Sequence, residues 1–284
     1  MDKGLAPAKV NLTLHVTGQR PDGYHLLDSL VVFADIGDQI AAAAAGGLTL
    51  AVTGPFAAGV PLGDSNLILR AAKLLQHARG VTKGAALRLT KLLPHAAGIG
   101  SGSSDAAAAL RLLAALWDVA PLAPDDPAVL GLGADVPVCL SAPRPARMTG
   151  IGGQLSGVPR LPPAAMVLVN PRVAVPTATV FKRLINRDNP PMAPMPDSWD
   201  FDGFAAWLNH QRNDLQAGAE LLTPEVSVAL AKLRQLPGVA AAVMSGSGAT
   251  CVGLVRDMGT ARAAARAMQV AQMGWWVVPA AVLA

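Results

Sequence analysis

Residues 7–16 alternate strictly: Val10, Leu12, Leu14 and Val16 face one way, Lys9, Asn11, Thr13 and His15 the other. That period predicts a half-buried strand. Its polar face either meets bulk solvent, which the pattern alone favours, or lines a cleft. Arg20-Pro21-Asp22-Gly23 is a turn by its proline and Asp-Gly chemistry, and a strand follows from about Leu26 to Ile36. Ile40–Val52 reads as a strand pair around Gly46-Gly47. Asp64-Ser65-Asn66 then caps a helix carrying Leu67, Ile68, Ala71, Leu74 and Leu75, which Arg79-Gly80 ends. Residues 85–93 form a strand. It leads through a glycine and serine loop, Pro94–Asp105, into an alanine-rich helix that runs from 104 to near Trp117, with Ser103, Ser104 or Asp105 as its cap.

The second half is more broken. Pro121–Pro127 is a loop with three prolines, and Gly133-Ala134-Asp135 turns into an apolar strand that includes Cys139. Ala146–Leu155 contains Gly150-Ile151-Gly152-Gly153 and reads as a hinge. Met166–Asn170 is a strand, Thr177–Leu184 a helix, and Arg187–Asp202 a surface loop with four prolines and little core material. Helices follow at Gly203–Asn209, after Thr223-Pro224-Glu225, and at residues 260–271; strands follow at Val239–Met244, Thr250–Val255 and Trp275–Val278. The alternation lacks a strict βαβ rhythm. The fold class is therefore α+β in two domains, 1–155 and 156–284.

Composition narrows the function classes. Hydrophobic residues make up 52% and charged residues 15% of the 284, so a sizeable core forms and global disorder is excluded. The longest uncharged apolar run, Ile40–Val52, is interrupted by polar and glycine residues and falls short of the roughly 18–20 residues of a membrane span. The net charge of +4 is spread over single or paired basic residues, which fits an anionic small substrate rather than nucleic acid. Cys139 and Cys251 form neither a metal pair nor a redox motif and read as buried free thiols. Nothing at residues 1–9 has the pattern of a signal peptide, which points to the cytoplasm.

Three stretches carry candidate chemistry. Alternate glycines at 98, 100 and 102 let the backbone turn tightly and approach a ligand, and the helix behind offers unpaired amides and the positive end of its dipole. By itself the loop is equally a capped flexible connection. It lacks the Gly-Lys-Ser/Thr of a P-loop and the spacing of a dinucleotide fingerprint. Tyr24, the one tyrosine in a chain with 4% aromatics, sits with His25 at a turn edge and could stack on a flat ligand or pack onto its hairpin. Asp135 is either a turn residue or a carboxylate held on rigid backbone.

Together, Pro7-Ala8-Lys9-Val10-Asn11, Asp22-Gly23-Tyr24-His25, Pro94–Asp105, Gly133-Ala134-Asp135-Val136-Pro137 and Ser245-Gly246-Ser247-Gly248-Ala249-Thr250 resemble the galactokinase/homoserine kinase/mevalonate kinase superfamily, over about Pro7 to Val255. The lysine-asparagine strand combined with Asp-Gly-Tyr-His resembles its branch acting on a cytidine diphosphate-linked methylerythritol in non-mevalonate isoprenoid synthesis. The resemblance implies a two-domain kinase with its active site in the cleft between domains. ATP would be the phosphoryl donor, with Mg²⁺ carried by the nucleotide and no dedicated metal ligands. Lys9 and Asp135 would be catalytic. The ATP phosphates would lie on Pro94, His95, Ala96, Ala97, Gly98, Ile99, Gly100, Ser101, Gly102, Ser103 and Ser104, with Asn66 and Lys91 near the adenosine half. Tyr24 and Phe181 would sandwich the cytosine, His25 would hold its polar edge, and Asn11 and Thr177 would touch the diphosphate and erythritol. Ser245–Ala249 would close the site. No nucleic acid or membrane partner is implied, and the enzyme would be a monomer or weak homodimer. Alternatives are a homoserine or mevalonate type of kinase, or a regulator that binds nucleotide without catalysis. The sequence departs from the family at Ala96, Ala97 and Ser101, where relatives often carry glycine, in the short Pro121–Gly133 segment, and at Val31, where many relatives place an aromatic near the nucleobase.

Overall fold

The computed structural model describes residues 2–283. In chain order its strands are β1 (Asp2–Asn11), β2 (His15–Gln19), β3 (His25–Ala45), β4 (Leu48–Thr53), β5 (Gly84–Thr90), β6 (Ala146–Gly150), β7 (Gln154–Ser156), β8 (Ala165–Asn170), β9 (Val239–Met244), β10 (Cys251–Val255) and β11 (Trp276–Leu283). The helices are α1 (Leu67–Arg79), α2 (Ser101–Trp117), α3 (Pro127–Leu130), α4 (Val136–Leu140), α5 (Thr177–Lys182), α6 (Phe201–Asn209), α7 (Gln216–Leu222), α8 (Glu225–Gln235) and α9 (Met258–Ala271). The class is α+β.

Two compact units form. The first takes the chain up to Lys9, Ile36–His95 and Gly100–Ala142; the second takes Val10–Asp35, Ala96–Ile99 and everything from Pro143. The sequence reading places one boundary near 155, whereas these units interleave. The cause is β3, a single strand that serves both. Residues 39–45 pair with β5, and residues 25–34 pair with β2, β6 and β11.

In the first unit, β5 lies between β3 and β4, antiparallel to one and parallel to the other. The expected strand pair around Gly46-Gly47 is thus not a hairpin, because β5 takes the place between its arms. β3 also runs unbroken where two strands were expected, since the polar Asp38 in its middle is buried and satisfied. The sheet's apolar face is covered by α1 and α2. Alanines 71, 72, 106 and 109 let these helices approach closely, and Leu75, Leu110 and Leu113 fill the seam. The apolar run after Asp135 is a helix, α4, not a strand. It is too short for periodicity to decide, and Pro137 suits a first helical turn.

In the second unit, β8 is flanked by β11 and β10, with β9 outside β10, all antiparallel. Every residue of β8 is buried, and α8 and α9 contribute Val226, Ala229, Leu230, Leu233, Ala261, Ala265 and Met268 to the core. The expected hinge at 146–155 is the β6–β7 hairpin. The segment 187–200 carries no helix or strand, as expected of a loop, but it is anchored. Met192 is buried, and its amide donates to Asp28 Oδ2 at 2.9 Å. Asp28 also takes a bidentate pair from Arg147, at 2.7 Å each.

This strap explains the largest error of the sequence reading. The polar face expected in solvent is buried: Lys9, Asn11, Thr13 and His15 are each no more than 2% exposed. Asn11 Nδ2 donates to Ser29 Oγ at 2.8 Å, Thr13 Oγ1 donates to Met192 Sδ at 3.1 Å, and Leu30 N donates to Thr13 Oγ1 at 2.8 Å. Both cysteines are buried and free, as expected.

Candidate active site

Helix α2 starts earlier than its alanines suggest. Gly100 occupies the N-cap position at φ +58°, and no side chain caps the helix. Two of the three expected capping residues are otherwise engaged: the Ser104 hydroxyl donates to Cys139 Sγ at 3.3 Å, and Asp105 turns to Lys91 at 2.7 Å. A helix leaves its first amides without intrahelical partners. Here Ser101, Gly102 and Ser103 supply them, with the positive dipole end behind. This chemistry suits a phosphate group.

The same helix end lies against a charged pair. Lys9 Nζ stands 2.9 Å from Asp135 Oδ2. Lys9 is buried at 3% side-chain exposure, while Asp135 keeps 34%. Asp135 occupies the N-cap position of α4 but makes no capping bond, which leaves its carboxylate for the lysine and for anything entering from outside. A Cβ on Gly100 would lie 2.7 Å from Lys9 Cε and 3.6 Å from Asp135 Oδ2. Gly100→Ala is therefore expected to keep the fold, at a cost of about 1–2 kcal/mol for a left-handed alanine, yet to push Lys9 out of line. Misplacement on this scale costs ~10²-fold in kcat; steady-state kinetics with a thermal melt would separate the two effects. Nearby Cys139 is inert, since burial and then Asp135 push its thiol up to about 12.

Other expected nucleotide residues are tied into the first unit. Asn66 caps α1, accepting from Ile68 N at 2.8 Å and donating to Pro61 O at 2.7 Å. Lys91 lies between Asp38 and Asp105 at 2.5 and 2.7 Å. Pro94 is buried, and His95 Nε2 lies 3.0 Å from Ala58 O. Asp38 and Asp105 were missed by sequence reasoning. Asp105 reads only as a cap candidate and Asp38 belongs to no motif, and only their convergence on one lysine marks them.

In the second unit, the segment Ala96–Ile99 is held by the Ser245–Thr250 turn. The Ser245 hydroxyl donates to Gly98 O at 2.8 Å and accepts from Asn11 N at 3.0 Å. Thr250 N donates to Ala97 O at 3.1 Å. Gly98 has φ +75°, and a Cβ there would overlap the Ser245 carbonyl. Ala96 also takes a positive φ, +50°, so one of the alanines that replace glycine does occupy a position glycine would fill without strain. Asn213, missed earlier, donates to Met244 O and Gly246 O at 2.8 Å each and shapes the turn. Thr177 and Ser247 hydroxyls are 2.8 Å apart.

Tyr24, His25 and Phe181, expected around a cytosine, all lie in this unit. His25 stacks on Phe181 with ring centroids 4.8 Å apart. Tyr24 is 60% exposed on the adjoining turn. His25 Nε2 is buried, with no hydrogen-bond partner among the described residues. Burial first, and then Arg187, lower the His25 pKa and favour its neutral form. Val31, at the position where many relatives place an aromatic, is fully buried and pairs with Ala146 in the sheet.

Comparison with known proteins places the chain in a family. Residues 66–142 match the family described as GHMP kinases N terminal domain, and residues 199–272 the one described as GHMP kinases C terminal. A Cereibacter sphaeroides protein named 4-diphosphocytidyl-2-C-methyl-D-erythritol kinase is 55% identical over 282 residues, covering 99% of both chains. One of the same name from Ruegeria pomeroyi is 54% identical, again over 99% of both. A crystal structure of a 4-(cytidine 5'-diphospho)-2C-methyl-D-erythritol kinase superposes with a TM-score of 0.79 at 33% identity over 100% of both chains. A homoserine kinase from Cytophaga hutchinsonii shares the fold, with a TM-score of 0.68 at 16% identity over 99% of this chain and 94% of its own.

Proposed function

The chain belongs to the GHMP kinase family, among relatives that are 4-diphosphocytidyl-2-C-methyl-D-erythritol kinases, and on that premise we propose that it transfers the γ-phosphoryl group of ATP to the 2-hydroxyl of 4-diphosphocytidyl-2-C-methyl-D-erythritol. The observation that carries this reading is the Lys9–Asp135 pair at 2.9 Å beside the uncapped start of α2.

Phosphoryl transfer needs positioning and charge neutralisation more than covalent help. The triphosphate lies on the amides of the glycine loop and α2. Asp135 accepts the proton of the 2-hydroxyl as its oxygen forms the new bond to the γ-phosphorus. The bond to the bridging oxygen breaks, and its electrons leave with ADP. A tertiary alcohol is a weak nucleophile at neutral pH, and base help of this kind is worth ~10²–10⁴-fold. The Lys9 ammonium favours the ionised carboxylate and offsets charge on the transferring group. Mg²⁺ carried by ATP would neutralise the phosphates. His25, Phe181 and Tyr24 receive the cytosine, and Asn11 and Thr177 the diphosphate and erythritol. The enzyme works in the cytoplasm as a monomer or weak homodimer, without nucleic acid or membrane partners; among the described residues no helix is long and apolar enough to cross a membrane.

The test is ATP turnover with the cytidylyl substrate, and with mevalonate and homoserine in parallel. Turnover is expected with the first alone, and cytidine diphosphate should compete with the acceptor. Equal use of mevalonate or homoserine, or indifference to cytidine diphosphate, would overturn the substrate assignment. Binding of ATP without turnover of any acceptor would favour the regulator.

A further inference from the structure

Lys91 directly precedes Leu92-Leu93-Pro94 and the glycine loop, and Asp105 is the fifth residue of α2. Asp38 lies within β3. The three meet in the interior, at side-chain exposures of 3%, 4% and 0% respectively. Lys91 Nζ is 2.5 Å from Asp38 Oδ2 and 2.7 Å from Asp105 Oδ2. The other Asp38 oxygen accepts from Leu92 N at 2.6 Å and Leu93 N at 2.8 Å. Asp105 Oδ1 is buried, with no hydrogen-bond partner among the described residues.

A buried ion cluster is a poor way to gain stability, since apolar residues of similar volume often serve as well or better. What it supplies here is a single geometry. Asp38 grips the backbone that enters the glycine loop, Asp105 belongs to the helix that leaves it, and Lys91 joins them. We infer that the three side chains are a clamp on both ends of the phosphate loop, and that Asp105 is a positioning residue for the nucleotide. The inference rests on the phosphate-loop reading above.

The clamp also holds an unbalanced charge, two carboxylates against one ammonium. Burial pushes Asp105 up to about 7; Lys91 opposes that shift and Asp38 adds to it, and these two are the charged groups that Asp105 faces. An unfolded aspartate titrates near ~3.9. The folded chain therefore holds an extra proton between pH ~4 and about 7, and stability falls as pH rises through that window.

Two variants test the clamp. Asp105→Ala removes one jaw. Asp105→Asn keeps the volume, with an amide to donate to Asp38 and an oxygen to accept from Lys91. In Asp105→Ala, amide exchange across residues 95–104 should quicken, and the KM for ATP should rise with kcat little changed. Asp105→Asn should restore both, and its melting temperature should fall less than that of the wild type between pH 5 and 8. A folded Asp105→Ala with wild-type loop exchange and ATP KM would overturn the clamp. Should Asp105→Ala not fold, Asp105→Asn decides: loose loop amides, or a pH slope equal to wild type, would count against it. Loop exchange that responds in a chain that phosphorylates nothing would leave the clamp standing and remove the kinase reading.

Discussion

Asp135→Asn is expected to lower kcat by ~10²–10⁴-fold and to leave the fold in place. Asparagine keeps the shape and still meets Lys9 through its oxygen, but it cannot take up the hydroxyl proton. The carboxylate is 34% exposed but Lys9 only 3%, so the amide leaves a buried ammonium with a weaker partner, and the melt should fall by several degrees without loss of the fold. Lys9→Met should lose activity on a comparable scale, because it removes charge from both the base and the transferring group. The two side chains act as one unit, so the double variant should fall little below the worse single one. Single-turnover assays with saturating ATP, alongside melts, check this. Asp135→Asn within about fivefold of wild type would mean that general base help, worth ~10² or more, is absent.

Lys91→Met carries the largest expected loss of stability. It leaves two carboxylates buried without their cation, and breaking such a pair typically costs about 3–5 kcal/mol. At ~2–4 °C per kcal/mol for a chain of this size, the melt should drop by roughly 10 °C. Adding Asp105→Asn should recover part of that drop, since one buried charge fewer remains. The outcome also decides what Lys91 does. A residue needed only to touch the adenosine would raise the KM for ATP and leave the melt where it was.

The strap across β2 shows why some of this could not be read in advance. Met192 stands in a segment of prolines and polar residues, with no period to mark it as core. It is buried because Asp28, 164 positions earlier, accepts from its amide. Thr13 and His15 were assigned to solvent for the same reason, since the pattern that predicts a strand says nothing about what covers its polar side. The helix at Val136–Leu140 was missed because five residues do not distinguish a period of 2 from one of 3.6.

What the chain determined alone was local: the strand around Lys9, the capped helix at Asn66, the glycine turns that demand unusual backbone angles, and the alanine surface on which α1 and α2 meet. The residue types of a phosphate site with a lysine and an aspartate were visible too. Tertiary structure decided which of them meet. Strand alternation and helix caps depend on neighbours a few positions apart. The partner of Lys9, the two carboxylates around Lys91 and the order β4-β5-β3 depend on contacts between distant segments, for which a linear pattern carries no period.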